Sequence, residues 1–290
     1  MRISLQPRAK LNLGLRILSI RKDGYHDLQS IFQEISLCDR LTIEALPGRR
    51  RIRLKCLGDA PEGPDNLVWK AASVFMELSD ESLDISILLE KRIPARAGLG
   101  GGSSDAAGVL LGLARITGRE DLDLFEAAAV LGSDVPFFIN GGAAMVTGRG
   151  ERIAAIPVIP FHAVLIHPPV NVSTPMAYSL WDAESDTYLT NSDTIRHDSA
   201  SSAVWHEGKP FPHDLRNDFL PLLEKHIPEI AEVARFMSDS QCDSWGLSGS
   251  GPTFYALFRG EGEARCFSRS LRWNNSICRT ADTAGASSNG

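Results

Sequence analysis

Cysteine is scarce in this chain, and its spacing gives no metal or disulfide framework. Cys38, Cys56, Cys242, Cys266 and Cys278 are odd in number and far apart, and no C-x-x-C occurs. That pattern excludes a zinc knuckle and a disulfide-stapled scaffold, and it fits free thiols in a reducing compartment. No apolar run approaches the roughly 20 residues needed to span a bilayer. Met1-Arg-Ile-Ser-Leu-Gln-Pro7 lacks the apolar centre of a signal peptide, so the expected location is the cytoplasm. Positive charge is also in deficit, with a formal net charge of −6. Such a chain has no general reason to bind nucleic acid or an anionic membrane. An anionic ligand must then be held by local basic groups and backbone amides.

What is present suits a soluble globular protein. The 290 residues, 43% apolar and 23% charged, allow one large domain or two of ordinary size. Leu11, Leu13, Leu15 and Ile17 alternate with Asn12, Gly14 and Arg16, the period-2 pattern of a strand with one buried face. Further strands are predicted at 41–44, 52–55, 83–89, 143–147, 163–166 and 253–258. Helices are predicted at 66–79, 104–117 and 122–131, from Ser173-Thr174-Pro175 to about Trp181, and over most of 221–237. Asp23-Gly24 and Gly148-Arg149-Gly150 read as turns, and Asp134 as part of a short connector behind Gly132. The mixture lacks regular βαβ alternation and no internal repeat is visible, so the expected class is α+β in two domains. The division falls near Ile156-Pro157, separating residues 1–157 from 158–280. Residues 184–212 read as polar and irregular, and the small polar tail 281–290 as disordered.

The most informative stretch is Pro94-Ala95-Arg96-Ala97-Gly98-Leu99-Gly100-Gly101-Gly102-Ser103-Ser104-Asp105-Ala106-Ala107. Glycines let a backbone turn tightly and bring its N–H groups close to a ligand. A helix opening at that point adds unpaired amides and the positive end of its dipole. Ser103, Ser104 and Asp105 are its candidate caps. The combination is an anion site, and a nucleotide phosphate is the anion it suits best. It is not a P-loop, which needs a lysine after its last glycine where this chain has Ser103. Nor is it the dinucleotide fingerprint, whose third glycine would fall on Ser103.

The run resembles the phosphate loop of the GHMP kinases, the family named for galactokinase, homoserine kinase, mevalonate kinase and phosphomevalonate kinase. Lys10-Leu-Asn12-Leu, Gly24-Tyr25-His26-Asp-Leu28-Gln29, Asp134-Val-Pro-Phe-Phe138 and Leu247-Ser-Gly-Ser-Gly-Pro-Thr253 resemble further family elements in the family's order. The likeness covers roughly residues 5–260. His167-Pro168-Pro169 and Asp243-Ser-Trp245 depart from the commoner family spellings beside these motifs.

The resemblance implies a two-domain GHMP kinase fold: an N-terminal domain like ribosomal protein S5 domain 2, then a ferredoxin-like domain, with the site between them. It implies ATP with Mg²⁺, no bound organic cofactor, and a monomer or homodimer acting on small molecules, with neither nucleic acid nor membrane as partner. By themselves Lys10 is a lysine near a strand start and Asp134 a cap or turn residue. In the resembling kinases both positions are catalytic. Pro94 to Ser104 would hold the ATP phosphates, with Ser103 or Ser104 touching the Mg²⁺ that travels with ATP. Asn66 and Lys91 fall where the family contacts the ATP nucleoside. Asn12 would touch the acceptor, and Gly249 and Ser250 belong to a second glycine loop closing near the phosphates. Tyr25 would stack on a cytosine whose edge His26 reads, with Thr174 and Tyr178 as the opposite wall. Within the family, these elements point to an acceptor that is a cytidine diphosphate-linked methylerythritol. On the residues alone, two alternatives stay open. One is a family kinase for another small alcohol, such as homoserine or phosphomevalonate, and the other a non-catalytic nucleotide or metabolite sensor on the same fold.

Overall fold

A computed structural model describes residues 1–189 and 215–281, with the backbone alone at 185–189. The expected irregular stretch therefore lies outside the described residues from 190 onward, as does the expected tail from 282. Residues 184–189 differ from expectation, since they continue a helix.

The chain opens with β1 (Arg2–Leu5), β2 (Arg8–Ile20), β3 (His26–Cys38), β4 (Arg40–Pro47) and β5 (Arg51–Leu57). Then come α1 (Leu67–Ser79), β6 (Leu83–Glu90), α2 (Gly101–Thr117), α3 (Leu124–Leu131), α4 (Val135–Asn140), β7 (Ala143–Gly148) and β8 (Arg152–Ala155). The second half holds β9 (His162–His167), α5 (Thr174–Leu189), α6 (Leu220–His226), α7 (Pro228–Ser238), β10 (Ser244–Leu247), β11 (Phe254–Phe258), α8 (Glu261–Ser270) and β12 (Asn274–Arg279).

Among the described residues three four-stranded sheets form, in the orders β1-β4-β6-β5, β2-β3-β7-β8 and β10-β11-β9-β12. The third is the split β-α-β-β-α-β arrangement expected for the second half, with every neighbouring pair antiparallel. In β6, Leu83, Ile85, Ile87 and Leu89 alternate toward the core, while α1 buries Val68, Ala71, Ala72, Phe75 and Met76 along one stripe. These residues and the apolar face of α2 form one core. A second core gathers the helices behind the third sheet, including Phe219, Leu223, Ile230 and Met237. A third joins the halves: Leu11, Leu13, Ile31 and Leu99 pack with Leu165, Tyr255 and Leu257.

The surroundings of β2 correct its reading. Its alternation suggested one wet face, yet Lys10 and Asn12 are nearly as buried as Leu11 and Leu13. Lys10 lies on the Phe32 ring and beside Gly100, and Asn12 beside Ser30 and the Ser248–Gly249 turn. The helix predicted from 221 to 237 is two, broken at Ile227-Pro228. Among the described residues no helix is long and apolar enough to cross a membrane.

Candidate active site

The glycine run leaves β6 and enters α2 by way of two left-handed glycines, Gly98 at φ +73° and Gly100 at φ +69°, preceded by Arg96 at φ +53°. Both positions are sterically closed to a side chain. A Cβ on Gly98 would stand 2.1 Å from the carbonyl oxygen of Ser248, and one on Gly100 2.9 Å from Phe138 Cζ. The helix begins at Gly101, so the expected caps are misplaced. Gly100 occupies the capping position without a side-chain bond, and the two serines lie in the first turn. The amides of that turn are therefore uncovered by any capping side chain.

Backbone and hydroxyl bonds lock this loop between strand and second half. The Lys10 N–H donates to Leu99 O at 2.9 Å. The buried Ser248 hydroxyl donates to Gly98 O at 2.9 Å and accepts from the Asn12 N–H at 3.2 Å. Asn217, also buried, donates to the carbonyls of Leu247 and Gly249 at 2.8 and 2.7 Å. Sequence reading passed over both residues. Ser248 lay inside a quoted motif, whereas Asn217 carried no local signal.

A cleft of about 950 Å³ opens beside the loop, and every candidate residue except Ser104 lines it. Lys10 and Asn12 share a face of β2, where the Lys10 ammonium donates to Asn12 Oδ1 in a short contact. Asn12 Nδ2 donates to Ser30 Oγ at 2.9 Å. Lys10 Nζ also lies 3.5 Å from Asp134 Oδ2 and 4.3 Å from the centre of the Phe32 ring. Burial pushes the Lys10 ammonium below its ordinary pKa, with Asp134 pulling the other way. Asp134 is not on a simple connector, because Val135-Pro136-Phe137-Phe138 folds as the start of α4 and leaves Asp134 at its N-terminal end.

Behind the glycine loop sits a charge cluster that sequence reading saw only in part. The Lys91 ammonium donates to Asp39 in a short contact and to Asp105 Oδ2 at 2.8 Å. Burial alone would lower the lysine, but the two carboxylates outweigh it and hold its pKa above the ordinary value. Asp105 is buried, and its Oδ1 has no hydrogen-bond partner. Asn66 lines the cleft but its amide is engaged locally: Oδ1 caps α1 at Val68 N, and Nδ2 donates to Pro61 O.

The aromatic group differs from a simple sandwich. Tyr25 is half exposed, and the Arg149 guanidinium stands 3.9 Å over its ring. Tyr178 stacks on His26, with ring centres 4.7 Å apart and planes at 27°, and packs edge-to-face with Phe219, ring centres 5.0 Å apart. His26 Nε2 lies 2.7 Å from Asp182 Oδ1. Burial, then the charges of Asp134 and Asp182, push the Tyr178 phenol above its usual pKa. The hydroxyls of Thr174 and Ser250 meet at 3.0 Å, tying α5 to the second glycine loop.

Comparison with known proteins fits this geometry. Residues 66–142 match the GHMP kinases N terminal domain, and residues 210–272 the GHMP kinases C terminal domain. The 4-diphosphocytidyl-2-C-methyl-D-erythritol kinase of Geobacter metallireducens is 37% identical over 273 residues, covering 93% of this chain and 94% of that one. The chain belongs to the GHMP kinase family. A kinase of the same name from Thermus thermophilus is 37% identical over 97% of both chains. Among solved structures, a 4-(cytidine 5'-diphospho)-2C-methyl-D-erythritol kinase superposes with a TM-score of 0.80 at 34% identity, over 97% of this chain and 100% of that one. A homoserine kinase from Cytophaga hutchinsonii, 16% identical with a TM-score of 0.66 over 97% and 94% of the two chains, shares the fold.

For a GHMP kinase the chemistry is undemanding in covalent terms. Phosphoryl transfer needs the donor phosphates fixed, their charge compensated and an acceptor hydroxyl placed in line. This GHMP kinase offers an amide-lined loop, a buried ammonium and a carboxylate facing one cleft.

Proposed function

We propose that this GHMP kinase transfers the terminal phosphoryl group of ATP to the 2-hydroxyl of 4-diphosphocytidyl-2-C-methyl-D-erythritol. The products are ADP and the 2-phosphate, and the step belongs to the non-mevalonate synthesis of isoprenoid precursors. The observation that carries this reading is the meeting of the glycine loop, the Lys10–Asp134 pair and the Tyr25–His26 pair in one cleft. The names of the relatives with 37% identity over more than nine-tenths of the chain support the same acceptor.

In this mechanism the loop amides and the start of α2 hold the ATP phosphates. The helix dipole contributes only about 0.3–1 kcal/mol, and charge-assisted hydrogen bonds about 1.5–3 kcal/mol each. Several amides from Gly98 to Ser103 therefore supply most of the grip. The acceptor oxygen bonds to the γ-phosphorus as the bond to the β–γ bridging oxygen breaks, and its proton passes to Asp134. Lys10 orients that carboxylate and steadies the developing negative charge.

Among the described residues, no three His, Cys, Asp or Glu side chains gather into a metal-holding group. That donor set fits a Mg²⁺ that arrives on the ATP phosphates and takes few protein ligands. Bound there, it neutralises phosphate charge. Ser103 faces the cleft and Ser104 is buried, which supports Ser103 as the hydroxyl that would touch it. The same reading takes residues 1–157 and 158–280 as the two domains of a cytoplasmic monomer or homodimer, with the cleft between them.

A coupled ADP-release assay with MgATP and the cytidine acceptor, run beside homoserine and phosphomevalonate, tests the proposal. Turnover with the cytidine acceptor alone is the expected result. Turnover only with one of the other alcohols would replace the acceptor.

A further inference from the structure

His26 opens β3 with its ring almost wholly buried, 7% exposed, and it is held on two sides. Tyr178 covers one face of the ring. Asp182, on α5 and 156 positions away in sequence, takes Nε2 at 2.7 Å. An ionised carboxylate can only accept, so the proton in that bond sits on the imidazole nitrogen. Nδ1 has no partner among the described residues. It is also absent from the fully buried polar atoms that lack one, which are Asp105 Oδ1 and Ser276 Oγ. His26 lines the cleft, and Nδ1 is the ring nitrogen that Asp182 does not take. A neutral imidazole protonated at Nε2 presents a lone pair at Nδ1.

We infer that Asp182 is a positioning residue for base selection: it holds His26 in the Nε2–H form, and the free Nδ1 becomes an acceptor that takes cytosine and turns away uracil. This rests on the cytidine acceptor proposed above. Cytosine carries an exocyclic amine, a donor, where uracil carries a carbonyl oxygen. A lone pair facing the amine makes a hydrogen bond, whereas facing the carbonyl it leaves two acceptors opposed and unpaired. Sites built this way discriminate strongly, because the wrong partner strands polar groups away from water. Without the carboxylate the ring is free to move its proton to Nδ1 and donate to the uracil carbonyl. Asp182 itself is half exposed, its side chain at 51%, so replacing it leaves no buried void.

The test measures kcat and KM on the cytidine acceptor and on its counterpart with uracil in place of cytosine. Wild type, Asp182→Ala and Asp182→Glu are compared. In Asp182→Ala, KM for the cytidine acceptor is expected to rise about tenfold and the preference for cytosine over uracil to fall by at least about tenfold, the size of one charge-assisted hydrogen bond. The kcat on the cytidine acceptor and KM for ATP should hold within about twofold, because neither is touched by base binding shared between ground and transition states. Asp182→Glu, which still accepts, should keep most of the preference. Asp182→Lys offers only donors and demands the other tautomer, so its preference should fall at least as far as that of Asp182→Ala. It serves also if the alanine variant does not fold. An unchanged cytosine preference in a folded Asp182→Ala or Asp182→Lys protein overturns the inference alone. Wild-type protein that turns over neither pyrimidine acceptor overturns the proposed acceptor, and this inference with it.

Discussion

Lys10 Nζ lies 3.5 Å from Asp134 Oδ2, joining a lysine side chain 4% exposed to an aspartate 30% exposed. The ammonium is placed by β2 and enclosed by Asn12, the Phe32 ring and the turn at Gly100, while the carboxylate at the head of α4 keeps contact with the cleft. A charge buried in this way persists because its partners are close: Asp134, the Asn12 carbonyl oxygen and the Phe32 ring face. The pair thus has one member protected and one available to a hydroxyl.

Asp134→Asn keeps the shape and an acceptor oxygen for Lys10 but removes the base. Turnover should fall by about 10²-fold or more, with ATP affinity within a few-fold of wild type. Steady-state kinetics and an ATP-binding titration on the same preparation check this. Lost ATP binding in folded Asp134→Asn protein would place the residue on the donor side instead.

Gly98→Ala should cripple the protein for a different reason. The added Cβ would meet the Ser248 carbonyl oxygen at 2.1 Å, and φ at +73° is already costly for any side chain. The loop must shift away from the second half, breaking the bond from Ser248 Oγ to Gly98 O. A loss of stability on the order of 1–3 kcal/mol is expected from the strained backbone alone, together with weakened ATP binding. Chemical denaturation and nucleotide titration measure the two. Wild-type values in both would mean that the two glycine loops are not coupled through this contact.

The elements seen at sequence level were those whose signals are local. The alternation in β6, the apolar stripe of α1 and the glycines entering α2 each follow from residues within one or two turns. The start of α2 was misplaced by three residues, because serines and aspartate are good caps in general. Here Asp105 is drawn inward by Lys91, and glycines open the helix instead. The residues that were missed act across the fold. Asp39 reaches Lys91 over 52 positions, Ser248 reaches Asn12 over 236, and Asp182 reaches His26 over 156. Nothing near an isolated aspartate or serine announces a partner so far away. The expected pairing of Tyr25 with Tyr178 failed to foresee that His26 and Arg149 each take a ring face.

Tyr25→Ala bears on the acceptor end of the cleft. The side chain is 54% exposed, so its removal should leave the melting temperature within a degree or two of wild type, as for surface changes in general. Stacking on a base is worth about 1–3 kcal/mol, so KM for the cytidine acceptor should rise roughly 5- to 150-fold with kcat little changed. Full acceptor saturation curves decide it. An unaltered KM removes Tyr25 from the base site and leaves its ring as a platform for Arg149 only.

The Asp39–Lys91–Asp105 cluster makes a prediction in pH. Burial, with Asp39 adding to it and Lys91 opposing, pushes the Asp105 carboxyl up to about 7. In an unfolded chain an aspartate ionises near pH 3.9. Between those values the folded protein holds a proton that the unfolded chain has released. This group therefore stabilises the fold at acid pH, and its contribution is lost as pH rises through about 7. Asp105→Asn keeps the side-chain shape and cannot titrate, so it removes this dependence. The melting temperature of wild type minus that of Asp105→Asn should be more positive at pH 5 than at pH 8, by about 2–4 °C for each kcal/mol of linkage in a chain of this size. Melts at four pH values between 5 and 8 trace the curve. A difference that is flat across that window, or that grows toward pH 8, would mean that Asp105 is ionised throughout. Lys91 would then be clamped between two full negative charges directly behind the loop proposed to hold the phosphates of ATP.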